Sequence, residues 1–135
     1  MEKKNLDWKH IGFAYHTTDY RYVADYKDGK WQEGYLSDSP TVVLNECAGI
    51  LQYCQEVFEG LKAYETADGR IVTFRSDLNA DRMYHSAERM EMPPFPRERF
   101  IEAVEKVVKA NEAWVPPYGS GATLYLRPYK YASSP

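Results

Sequence analysis

Arg82, Tyr125 and Arg127 are the side chains of this sequence best suited to holding a small charged molecule. Arg82 lies in DRMYHSAER, and a guanidinium can grip a phosphate through two parallel hydrogen bonds. On spacing alone the plainer reading is the stronger, since most helix arginines are solvated or ion-paired. Tyr125 and Arg127 stand two apart in LYLRP, so on a strand they share one face. A ring beside a carboxylate anchor suits an amino acid, although a core Tyr and a surface Arg would give the same spacing. Tyr53 and Phe58, unaided, read as core aromatics. His10, His16 and His85 form no spaced constellation, and His85, three residues after Arg82, reads as a surface histidine. No two carboxylates make an acid/base dyad. Cys47 and Cys54 have no His or Cys companion at metal-ligand spacing and read as two reduced thiols, so no metal site is expected. GSGA, Gly119 to Ala122, is too short for a phosphate cradle, and no GxGxxG, Walker loop or GxSxG occurs.

The elements that must position these groups are legible in outline. YRYVADYKD, an Asp28-Gly29 turn and WQEGYL predict a β-hairpin. Residues 37–40 read as loop, and the β-branched run Thr41 to Leu44 as a short strand. Ala48 to Phe58 fits a helix loosely. LKAYE and RIVTF predict a second hairpin across Thr66-Ala67-Asp68-Gly69. A helix follows, capped by Ser76 or Asp77, with Leu78, Met83, Ala87 and Met90 near one face and Pro93-Pro94 ending it. Another opens at Pro96 and repeats Phe100, Ile101, Val104, Val107, Val108, Asn111 and Trp114 at helical spacing up to Pro116-Pro117. After a Gly-rich loop, ATLYLRP reads as a final strand. Strands and helices that do not alternate as βαβ units predict an α+β domain.

The 135 residues are about one domain, 44% hydrophobic and 27% charged, the balance of a soluble globular protein. A net charge of -3 without a Lys/Arg cluster gives no footprint for nucleic acid. No apolar run approaches the roughly 20 residues that span a bilayer. MEKKNLDWKH carries no apolar signal core, which makes the cytoplasm the expected location. Twelve Tyr and three Trp are many for this length and suit half-wet pockets and interfaces.

FEGLKAY (Phe58 to Tyr64), the hairpin after it, the Asp81-Arg82 pair on the next helix and LYLRPY (Leu124 to Tyr129) together resemble the N-terminal half of the branched-chain amino acid aminotransferases. These are pyridoxal-phosphate (PLP) enzymes of fold type IV, class IV. The resemblance covers nearly the whole chain from NLDWKHIGFAY onward. It implies that residues 1–135 form the small N-terminal domain, mostly antiparallel sheet with two main helices. It implies that Arg82 binds the PLP phosphate and that Tyr125 lines the substrate pocket. Arg127 would help position substrates, including the side-chain carboxylate of glutamate. Tyr53 and Phe58 would wall the apolar pocket, the Tyr reaching across from the other subunit of a homodimer. A pocket of that kind accepts Leu, Ile and Val by burial, at about 0.8 kcal/mol per methylene, and separates chain lengths poorly. The implied reaction passes the amino group of Leu, Ile or Val to 2-oxoglutarate.

A D-amino acid aminotransferase or an aminodeoxychorismate lyase would share the architecture, and the long lead-in with WVPPYGSGATLYLRP favours the branched-chain enzymes. From another class, a non-catalytic partner-binding or dimerisation module also fits the high Tyr content. Two departures from the pattern stand out. Where relatives commonly carry HYG, this chain has Gln52-Tyr53-Cys54, which is expected to alter the local backbone. No lysine, Lys62 and Lys130 included, lies in a motif matching the cofactor lysine. No catalytic residue is therefore expected in this chain. That lysine is expected on a larger second domain beyond residue 135, which makes the chain an N-terminal fragment, inactive alone.

Overall fold

A computed structural model describes residues 1–135. In the N-terminal arm, β1 (Arg21–Val23) pairs antiparallel with β4 (Tyr35–Ser37), and between them β2 (Tyr26–Lys27) and β3 (Lys30–Trp31) close the first hairpin. Asp28 and Gly29 at its tip have φ of 52° and 77°, the two positive values that an Asp-Gly hairpin turn supplies. The expected strand over Thr41 to Leu44 does not form. That segment joins no ladder, and Val43 is 96% exposed. β-branched residues favour a strand only where a neighbouring strand accepts them, and here none does. Arg21 holds the segment instead, donating to the carbonyls of Ser39 and Thr41 at 2.5 and 2.9 Å.

The loosely helical stretch divides into a short helix α1 (Gly49–Tyr53) and a strand β5 (Glu56–Phe58). Next come β6 (Leu61–Glu65) and β7 (Ile71–Thr73), the second hairpin as expected, and near the end β8 (Leu124–Leu126) and β9 (Tyr129–Tyr131). β9 lies beyond the strand expected from ATLYLRP. β5 pairs with β9 and β6 with β8, all antiparallel. The pairs Phe58 with Tyr129 and Leu61 with Leu126 keep one register, so the four strands are one long ladder interrupted at Glu59-Gly60 and Arg127-Pro128. Pro128 has no N–H to give, but its carbonyl accepts the Glu59 N–H at 2.8 Å and carries the register through the gap.

Period-2 alternation then sorts the ladder. Val57, Glu59, Leu61, Ala63, Leu126 and Lys130 are buried, while Phe58, Tyr125, Arg127 and Tyr129 are exposed. The buried face packs against α2 (Ser76–Arg89) and α3 (Arg97–Ala110), with Met83, Phe100, Val104 and Val108 completing one apolar core. The chain is α+β, as expected.

α2 departs from its expected details. Its N-cap is Arg75 in the left-handed conformation, with no side-chain cap, and Asp77 accepts two bonds from Arg75 rather than capping the helix. Asn79, Ala80, Met83 and Ala87 form its buried face, and Leu78 is 41% exposed. α3 presents the expected face only as far as its C-cap Asn111, and Trp114 falls in a separate 3-10 turn (Glu112–Trp114) rather than in the helix. The buried Asn111 amide donates to the carbonyls of Tyr20 and Val107, and its oxygen accepts the Tyr20 N–H at 2.9 Å. One side chain thus ties the N-terminal arm to the core as a strand neighbour would. Asn111→Ala strands the Tyr20 backbone and is expected to cost about 1–2 kcal/mol. A chemical melt checks this, together with faster amide exchange confined to the arm.

Candidate functional site

The exposed face of the ladder brings three of the sequence-selected residues together. Arg127 donates from Nε and Nη2 to the Tyr125 hydroxyl oxygen at 3.0 and 2.8 Å. Its guanidinium also lies 4.3 Å from the centre of the Phe58 ring, an attractive cation–π arrangement. Phe58 and Tyr125 are 59% and 51% exposed, so the cluster is an open surface of two rings around one positive charge. Gly60 makes it fit. A Cβ there would stand 2.5 Å from the Tyr125 oxygen, so a larger residue pushes the phenol off the Arg127 fork.

Glu59, one residue along, turns to the opposite face and is 8% exposed. Arg82 grips it with two parallel bonds, Nε to Oε1 at 3.0 Å and Nη2 to Oε2 at 2.8 Å. Asn79 adds a third, from Nδ2 to Oε2 at 2.8 Å, and reaches the Gly60 carbonyl as well. A buried carboxylate met by three donors is satisfied, and it raises the Arg82 pKa above the usual arginine range through those hydrogen bonds. The Arg82 side chain stays 60% exposed. Its two Nη1 hydrogens and the second hydrogen on Nη2 are free of Glu59, which leaves a fixed, positively charged edge facing solvent. Both readings of Arg82 therefore meet in one geometry: it is ion-paired, and it can still hold an anion. Sequence reasoning gave Glu59 and Asn79 no role. Their partners lie 20 and 23 residues apart in the chain, and only the alternation through FEG marks Glu59 as inward.

Tyr53 is not drawn into the cluster. It ends α1 at 81% exposure. Cys54, which follows, closes that helix with φ 52° and ψ 35°, left-handed backbone that a residue with a Cβ adopts at a cost of roughly 1–2 kcal/mol. Cys54→Gly is expected to raise stability by about 1 kcal/mol, read as a higher melting temperature. Cys47, in the turn before α1, and Cys54, at its C-terminal end, are free and exposed. His85 pairs with Glu88 at 3.0 Å on the exposed side of α2. No group of three His, Cys, Asp or Glu side chains gathers around a metal-sized site, and no helix is long and apolar enough to cross a membrane.

No protein-family model matches the chain. It is similar to the branched-chain-amino-acid aminotransferase of Haemophilus influenzae, with 53% identity over 126 residues, 93% of this chain and 37% of that protein. The branched-chain-amino-acid transaminase 1 of Bacillus subtilis is 40% identical over 98% of this chain and 37% of its own length. Methionine aminotransferase BCAT4 of Arabidopsis thaliana is 44% identical over 97% and 37%. Among solved structures, a branched-chain amino acid aminotransferase complexed with N-(5'-phosphopyridoxyl)-L-glutamate matches at TM-score 0.65 and 26% identity, over 87% of this chain and 34% of that one. The branched-chain aminotransferase of Thermoproteus uzoniensis with norvaline matches at 0.61 and 26%, over 86% and 34%. The chain thus spans about a third of the length of the proteins it matches. With identities of 40–53% along nearly its whole length and the same fold, it belongs to the branched-chain aminotransferase family.

Proposed function

We propose that residues 1–135 are the small N-terminal domain of a PLP-dependent aminotransferase that moves the amino group of Leu, Ile or Val to 2-oxoglutarate. The observation that carries this reading is the Glu59–Arg82 pair, which holds a guanidinium rigid with its outer edge open. That edge suits the phosphate of PLP, and no side chain of this chain competes for it. Bound PLP would supply an electron sink for the amino acid's α-carbon. The cofactor lysine and the catalytic proton transfers belong, on this reading, to a larger second domain.

What this chain does is bind and orient. Arg82 would fix the phosphate. Phe58 and Tyr125 would cover an apolar side chain, and Arg127 would meet a carboxylate when glutamate is the amino acid. Burial by rings discriminates weakly, so methionine is a sensible competitor to leucine, in keeping with the similarity to a methionine aminotransferase. Tyr53, exposed here, would complete the pocket of a second subunit in a homodimer. A cytoplasmic location goes with the same reading.

The test is transamination by the protein isolated from its source, with PLP, 2-oxoglutarate and each of leucine, isoleucine, valine, methionine and D-alanine. Glutamate formed from the branched-chain amino acids supports the proposal. Glutamate from D-alanine alone, or from none of them, overturns it. The intact mass of that protein tests the domain assignment, which expects a value more than twice the 15.7 kDa of this chain.

A further inference from the structure

Lys130 is the one buried charged side chain that the site above leaves unused. It sits on β9 opposite Val57, on the core face of the ladder, and is 9% exposed. Its Nζ is buried with no hydrogen-bond partner. It lies over the face of Trp31, 5.1 Å from the ring centre. Trp31 is itself braced edge-on by Phe95 at 4.9 Å and Tyr26 at 5.3 Å. These groups line a groove of about 900 Å³ between the N-terminal arm and β8–β9. Asp25 and Glu91 line the same groove, yet neither forms an ion pair with Lys130. Glu59 shows what this fold does with an inward charge that is structural: it supplies three donors. Lys130 gets none.

We propose that Lys130 is a nucleophilic amine that captures small aromatic aldehydes as an imine within this groove. The rings of Trp31, Tyr26 and Phe95 line the groove with apolar surface for the aldehyde's ring. Burial lowers the Lys130 pKa to about 8, because an ammonium loses its hydration there and gains no acceptor. At pH 7 about a tenth of the side chain then carries a free electron pair, far more than an ordinary exposed lysine offers. That pair attacks the carbonyl carbon, forming the C–N bond while the nitrogen's proton passes to the carbonyl oxygen. The second N–H proton then joins the departing oxygen as the C–O bond breaks, so water leaves and the C=N bond of the imine forms, with no oxidant or reductant consumed.

The probe is benzaldehyde with cyanoborohydride as the trap, followed by peptide mapping. Benzaldehyde carries no phosphate, so the result is independent of Arg82 and of the aminotransferase reading. At neutral pH, Lys130 is expected to be labelled about 10-fold faster than exposed Lys27, Lys30 or Lys62, the gain in neutral amine outweighing its lower basicity. Its rate should level off above pH about 8, while the exposed lysines continue to speed up. Lys130→Met removes a buried charge and keeps the fold, and should lose the fast-labelled fraction alone. Labelling of Lys130 no faster than the exposed lysines, or its absence, overturns the proposal.

Discussion

Replacing Arg82 with Ala is expected to weaken PLP binding by the protein about 100-fold, the scale of a pair of charge-assisted hydrogen bonds. The guanidinium has five N–H donors in a fixed fork. Two are committed to Glu59 at 3.0 and 2.8 Å, so the remaining three are presented together, already oriented, at no further entropic cost. Arg82→Lys keeps the charge but not the fork and should fall between the wild type and Ala. The substitution also has a structural consequence, because it leaves the buried Glu59 carboxylate with Asn79 as its only side-chain donor. Stability and affinity must therefore be separated. In the double variant Arg82→Ala/Glu59→Gln the buried charge is gone, so stability should return while affinity does not. Glu59→Gln alone keeps Arg82 but unpins it, and a loss of about 10-fold is expected, smaller than that of Arg82→Ala. Absorbance titration with PLP and a thermal melt on each variant supply both readouts. Wild-type affinity in a folded Arg82→Ala protein would remove Arg82 from the phosphate site.

The way these residues meet shows what a sequence of this kind discloses. Both hairpins were legible from their Asp-Gly signals: Asp28 and Gly29 both take the positive φ of a two-residue turn, while in the second turn Gly69 alone does. The Tyr125–Arg127 contact was legible because period 2 is a property of the strand alone. Thr41 to Leu44 misled because its composition reports strand propensity, whereas a strand also needs an available edge. The Ser76–Asp77 cap misled for a related reason: Arg75 supplies the left-handed entry to α2 and takes Asp77 as its own partner. Glu59 could not be placed, since nothing local indicates that Arg82 and Asn79 arrive on its side of the strand. Pro128 concealed β9. Carrying the alternation of Leu124 and Leu126 past that proline puts Lys130 on the core face, where the structure has it.

A chain whose Lys130 is replaced by Met is expected to be about 2 kcal/mol more stable than the wild type at neutral pH, because a buried ammonium without an acceptor opposes folding. The pH dependence gives the sharper test. Burial lowers the Lys130 pKa from 10.5 to about 8. Between those values the unfolded chain keeps its proton and the folded chain has lost it. The unfolded state then binds more protons, so stability rises with pH through this window. Below pH about 8 both states are protonated and the full penalty applies. A shift of that size corresponds to roughly 3 kcal/mol, and solvent in the groove reduces it toward the 2 kcal/mol expected for Met. Tyr131 limits the window from above. Burial raises its phenol pKa beyond the ordinary 10.0, so it stabilises the fold below pH 10 and that contribution is lost as pH climbs further. Urea melts from pH 7 to 10 should show the wild type gaining stability above about 8 relative to Lys130→Met. Parallel curves for the two proteins would mean that Lys130 finds an acceptor in solution, and the unpartnered amine on which the aldehyde chemistry depends would be gone.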